Sequence, residues 1–205
     1  MTTSVRHLTG ATIEAAPPCC VSCLWWQENG WATPGKRGFV EDIEDRFGPW
    51  GKLYHDGDRL VGFLQYGPQD AFPRAARLPA GPPTKDAVVI TCSLLLDPSS
   101  PWALQSLVLA CIGEVHDRKL PAVEAFAYHY TEAEQVEERR ERRHHTIFPF
   151  EFLADFGFQP IRTSGRISLM RLELRGIIPV EESALSVRVA ELRGRLARRR
   201  APAAI

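Results

Sequence analysis

Residues 87–115 read AVVITCSLLLDPSSPWALQSLVLACIGEV. The first ten, Ala87 to Leu96, form a nearly continuous apolar run with β-branched residues early, the pattern of a strand covered on both faces. Leu104, Leu107, Val108, Cys111, Ile112 and Val115 then recur at helical intervals, so a helix is expected to lay one face on the same sheet. The turn between them has two serines and no glycine; Ser100 can cap the helix and Pro101 can occupy its first turn. A strand end feeding a helix start presents backbone N–H groups and a positive dipole end, which can bind phosphate with or without glycine. The same residues equally suit a packed connection that binds nothing.

Upstream, GKLYHDGDRLVGFLQYGP (51–68) predicts antiparallel strands at 52–55 and 59–66, turning at Asp56-Gly57. Phe39, Val40, Ile43 and Phe47 predict a short helix before them, and the proline-, alanine- and glycine-rich stretch 69–83 a long connection after them. Downstream, AVEAFAYHY (122–130) is a strand, FPFEFLADFGF (148–158) a short helix stopped by Gly157, and 158–163 and 167–174 are further strands. The run TEAEQVEERRERRHH (131–145) suits a charged helix or a mobile loop, in either case a solvated segment. Leu185, Val189, Leu192 and Leu196 predict a terminal helix, with Glu181 and Glu182 at its start and arginines towards its end. This order implies a mixed sheet with helices on its faces.

At 205 residues and 44% hydrophobic content the chain can build one substantial core, expected as a domain over 1–178 followed by a helix and basic tail over 179–205. Acidic and basic residues balance at 25 each, which gives no global electrostatic reason for a nucleic-acid or membrane partner. The RGRLARRR run near the C-terminus is read as a solvated helix end. With no signal-like apolar core and no segment near the roughly 20 apolar residues of a membrane helix, a soluble cytoplasmic protein is expected. Five cysteines point to reduced thiols. Cys20 and Cys23 have C-x-x-C spacing that only His144-His145 could complete as a zinc site, so a packed thiol cluster beside Trp25 and Trp26, without metal, is the expectation. A thiol sensor built on Cys19, Cys20 and Cys23 is a further reading.

The pieces CVSCLWW, WGKLYHDGDRLVGFLQYGPQDAFPR, GPPTKDAVVITCSLLL, AVEAFAY, FPFEFLADFGF and MRLELR, in that order over roughly residues 5–185, resemble the GNAT superfamily of acetyl-coenzyme A-dependent N-acetyltransferases. The resemblance is closest to a bacterial branch with an N-terminal C-x-x-C-x-W element. It implies an α/β (α+β) fold, a mixed and mostly antiparallel central sheet flanked by helices. It also implies acetyl-coenzyme A as co-substrate and an amine acceptor, a protein lysine or a small molecule, attacking directly within a ternary complex. The backbone of Leu94, Leu95 and Leu96 would hold the pantetheine arm.

Where such proteins carry R-x-x-G-x-G/A after the central strand, this chain has PSSPWAL (98–104), so Ser99, Ser100, Trp102 and Ala103 become the candidate cofactor contacts. The serine hydroxyls would replace the glycine cradle, while Trp102 would fill the space glycine leaves open. Leu153 stands where many relatives have a tyrosine acid, which passes that role to Tyr130, Tyr128 or solvent. Glu124 is the candidate general base, with a structural hydrogen-bonding role as its alternative, and His129 is a second choice. The alternative to an enzyme is a non-catalytic GNAT-like binding or regulatory module that acts through dimerisation.

Overall fold

In the computed structural model, which describes residues 2–28, 35–130 and 147–175, the run at 87 lies in the middle of a sheet, as its apolar sequence requires. The strands are β1 (Thr3–Leu8), β2 (Gly51–Asp56), β3 (Arg59–Pro68), β4 (Ala87–Leu95), β5 (Ala122–Tyr128), β6 (Phe148–Pro149), β7 (Gln159–Ser164) and β8 (Ile167–Glu173). The helices are α1 (Pro18–Val21), α2 (Lys36–Arg46), α3 (Pro101–Asp117) and α4 (Phe150–Asp155). The sheet order is β1-β2-β3-β4-β5-β8-β7, with β6 added beside β5. Neighbours are antiparallel except β4–β5 and β5–β6, so the sheet is mixed and mostly antiparallel, as expected.

Residues through Leu174 form one compact unit. The charged run 131–145 and the expected terminal helix lie outside the described residues. No helix among the described residues is long and apolar enough to cross a membrane.

The sheet is covered on both sides. The stripe Leu107, Val108, Cys111 and Val115 of α3 is fully buried against Leu64, Tyr66, Val88, Ile90, Val123 and Ala125. Gly62 on β3 lets the helix approach: a Cβ there would lie 3.0 Å from Leu107 Cδ1 and 3.7 Å from the Ala103 Cβ. On the other side Phe39, Val40 and Ile43 of α2 join Trp26, Trp50, Phe63, Phe72, Val89, Phe126 and Leu169. Much of the connection 69–83 belongs to this second core, with Phe72, Ala75 and Ala80 buried. Burial of aliphatic and aromatic groups on this scale is the dominant favourable contribution to folding.

One element was not anticipated, and one local expectation differs from what is found. Strand β1 pairs along the whole of β2, yet its residues at 3, 5, 6 and 7 are exposed. An edge strand with little buried surface shows no apolar alternation to be read. Ser100 occupies the N-cap position of α3, and Pro101 its first turn, but the serine makes no side-chain cap. Its hydroxyl is turned to Asp97 instead.

Candidate functional site

The two central strands part company halfway along. β4 pairs in parallel with β5 only from Ala87↔Ala122 to Ile90↔Ala125, although β4 continues to Leu95 and β5 to Tyr128. The next residue, Thr91, is skipped in the register with β3, which passes from Ile90↔Tyr66 to Cys92↔Gln65. It is therefore a bulge, and a bulge bends its strand and raises the local twist. Gln65 fixes it on both sides: its Nε2 donates to Thr91 Oγ1 at 3.2 Å, and the Thr91 hydroxyl donates to the Gln65 carbonyl at 3.4 Å. Past the bulge β4 keeps its ladder with β3 through Gly62↔Leu95, and Leu96 N–H donates to the Val61 carbonyl at 2.8 Å. On the opposite edge the ladder with β5 has ended, and β5 is joined by β6, which pairs Ala127↔Phe148 and Tyr128↔Pro149; the two central strands thus part as a wedge.

Leu94 and Leu95 thus lie in the half of β4 beyond the β4–β5 ladder and Leu96 just past its end, half-buried or exposed. Tyr128 ends β5 on the other wall, with the ring of Tyr130 4.8 Å away and the Tyr130 hydroxyl donating to the Ile147 carbonyl at 3.0 Å. His129 is exposed and stacks on Phe150 at 4.2 Å. Leu153 is fully buried in the core under α3.

Glu124 shares the second face of β5 with Phe126 and Tyr128, one residue before the strands diverge. It is completely buried. Thr84 donates to it from its N–H at 2.9 Å and from its hydroxyl at 2.6 Å, and Arg171 from its guanidinium at 3.0 Å. Arg171 also binds Asp86 at 3.0 Å and Glu173 at 2.5 Å. These partners occupy both oxygens of the carboxylate expected to serve as a base. Trp26 stacks over the neighbouring Phe126 at 6.3 Å.

At the start of α3 the side chains point to one another. The Asp97 carboxylate accepts from Ser99 N–H at 2.9 Å, Ser99 Oγ at 2.6 Å, Ser100 Oγ at 3.4 Å and Arg59 at 2.9 Å. Ser100 N–H donates to the Asp97 carbonyl and Ala103 N–H to the Ser100 carbonyl, both at 2.9 Å. Trp102 is 39% exposed, and the Ala103 side chain is buried against the sheet. Sequence reasoning passed over Asp97, yet an Asp two residues before a serine is an Asx-turn signal, and the bond from Ser99 N–H is that turn.

The hydrogen bonds from Ser99, then from Arg59, hold the Asp97 carboxyl down at about 2, against an ordinary value of 3.8. A carboxylate with a depressed folded-state pKa adds stability above its ordinary pKa, which is lost as the pH falls through that value towards 2. A carboxyl-detected NMR titration should therefore place the Asp97 midpoint near 2, and Ser99→Ala should raise it. A midpoint at 3.8 in the wild type would show that the turn does not hold in solution.

All five cysteines are thiols. Cys19 and Cys20 lie with sulfurs 3.8 Å apart, and burial, then the neighbouring Cys92, Cys19 and Cys23, push the Cys20 thiol well up. A thiol moved in that direction stays protonated, the reverse of a reactive thiolate. Lys36 donates to the Cys23 carbonyl at 2.9 Å and lies over the Trp50 and Phe39 rings at 5.1 and 5.2 Å. Of Cys19, Cys20 and Cys23, only Cys20 packs against the core that holds Trp26 and Trp50 and that Trp25 borders; Cys19 is exposed and Cys23 half-buried. Among the described residues no three His, Cys, Asp or Glu side chains are placed to hold a metal, and His144-His145 lie outside them.

No protein-family model and no curated protein matches this chain. Solved structures do. An N-acetyltransferase from Staphylococcus aureus Mu50 superposes with a TM-score of 0.51 at 10% identity, over 85% of this chain and 99% of that one. The loading GNATL domain of CurA from Lyngbya majuscula gives 0.52 at 11%, over 85% and 99%. The structure of yncA from Salmonella typhimurium with its cofactor acetyl-CoA gives 0.50 at 12%, over 87% and 98%. The fold is the GNAT fold. Identity this low speaks for the fold alone, and the chemistry must be argued from the residues that this GNAT-fold chain carries.

Proposed function

We propose that this protein is an N-acetyltransferase that moves an acetyl group from the thioester of acetyl-coenzyme A to an amine acceptor, a protein lysine or a small molecule. The observation that carries the reading is the divergence of β4 from β5 at the Thr91 bulge. An extended, amide-bearing arm can add to the exposed edge of a strand as a further strand does, and pantetheine is such an arm. The end of β4, Leu94 and Leu95 with Leu96 just past it, would receive it, with the thioester directed towards the place where the β4–β5 ladder stops.

In this reading the acceptor meets the thioester just beyond the end of the β4–β5 ladder. Its neutral nitrogen attacks the acetyl carbonyl carbon, the C–S bond breaks, and the ammonium proton leaves to solvent. Tyr130 protonates the departing thiolate and recovers its proton from water, giving an amide and a free thiol. Glu124 serves as a positioning group: with Thr84 and Arg171 it holds the strands together up to Ile90↔Ala125, so that the wedge opens at one defined place. A cytoplasmic setting suits both the donor and the five thiols. The element Cys20, Cys23 and Trp25 would mark a bacterial branch of the fold.

The test is a transfer assay with acetyl-coenzyme A and a panel of polyamines, arylamines and lysine peptides, in which released thiol and acetylated amine are both quantified. Equimolar, acceptor-dependent formation of the two is expected. Thiol release without amide, or no binding of any acetyl thioester, would overturn the assignment.

A further inference from the structure

A donor lying along the open edge of β4 leaves the sheet at Leu96 and meets the turn 97–100, where α3 begins. Phosphate is held at such a place by backbone N–H groups without other partners, aided by the positive end of the helix dipole. Here most of these donors are already in use. The N–H groups of Ser99, Ser100 and Ala103 are bonded within the turn, Pro101 has none, and both serine hydroxyls and Arg59 are directed to Asp97. The helix dipole is met by the chain's own carboxylate, which also repels a second anion. The open strand edge fits pantetheine, whereas the start of α3 does not fit a pyrophosphate.

We infer that Asp97 determines donor specificity by occupying the anion position, so that the protein takes acyl-pantetheine thioesters through the uncharged arm and gains nothing from the nucleotide pyrophosphate. This rests on the acyl-transfer reading above. The serines act as ligands of Asp97.

The test is a ligand-observed NMR titration of the full chain with acetyl-coenzyme A and with S-acetylpantetheine. The wild type is expected to bind the two within about threefold, with affinities nearly independent of salt, since no phosphate contact is screened. Asp97→Gly, which frees the Ser99 N–H, both hydroxyls and Arg59, should tighten acetyl-coenzyme A about tenfold and leave S-acetylpantetheine within twofold. Asp97→Asn keeps the turn and removes only the charge, and should move the same ratio by about threefold; it serves if the glycine variant fails to fold. A wild type that binds acetyl-coenzyme A more than tenfold tighter than S-acetylpantetheine overturns this inference and leaves the acyl-transfer reading standing. So does a pair of variants that change both donors equally. Failure of both donors to bind the wild type overturns the two together.

Discussion

Arg171→Met is expected to lower the free energy of unfolding by about 3–5 kcal/mol, the cost of leaving a buried charge without its partner. Glu124 has no exposed surface, and Arg171 is the cation that faces it, across the β5–β8 ladder at Glu124↔Arg171. Methionine keeps most of the packing of the arginine stem while removing the charge. Adding Glu124→Gln to Arg171→Met should recover a large part of the loss, because the uncompensated charge is then gone. Urea denaturation of the two single variants and the double variant measures all three terms. A loss below about 1 kcal/mol for Arg171→Met, the range of an exposed ion pair, would mean that Glu124 is not held as described.

Tyr130→Phe is expected to reduce kcat about a hundredfold while leaving the KM for the donor nearly unchanged, as removal of a general acid that acts only in the transition state requires. The ring remains to pack against Tyr128, and only the hydroxyl that donates to Ile147 is lost. Tyr128→Phe separates the candidates, since the smaller effect should fall there. Equal turnover of wild type and Tyr130→Phe would pass the proton transfer to Tyr128 or to solvent.

The sequence was most informative where burial is symmetrical. The apolar run at 87 could only be a strand with cores on both sides, and the stripe from Leu104 to Val115 could only be its covering helix. The hairpin at Asp56-Gly57 follows from its turn residues, with Gly57 at φ 60°. Elements whose partners lie far along the chain were harder to read. Nothing near Glu124 announces Arg171, 47 residues away, so a carboxylate in an apolar strand could be read as a base. The edge strand β1 carries no pattern because most of it faces solvent. At the candidate site the resemblance pointed to the leucines, and Leu153 in the place of a tyrosine passed the acid role to Tyr130, but the parting of β4 from β5 has no residue-type signature.

That last point has a consequence for how such a cleft is encoded. Before Thr91, Val88 and Ile90 look to α3; after it, Cys92 and Leu94 look to the opposite core. One supernumerary residue has shifted the frame in which inside and outside are counted, much as an inserted base shifts a reading frame. The cleft is thus written in the arithmetic of the strand rather than in its chemistry. A chain lacking this one residue would keep the same side of β4 towards α3 along its whole length, with no bulge where β4 and β5 part.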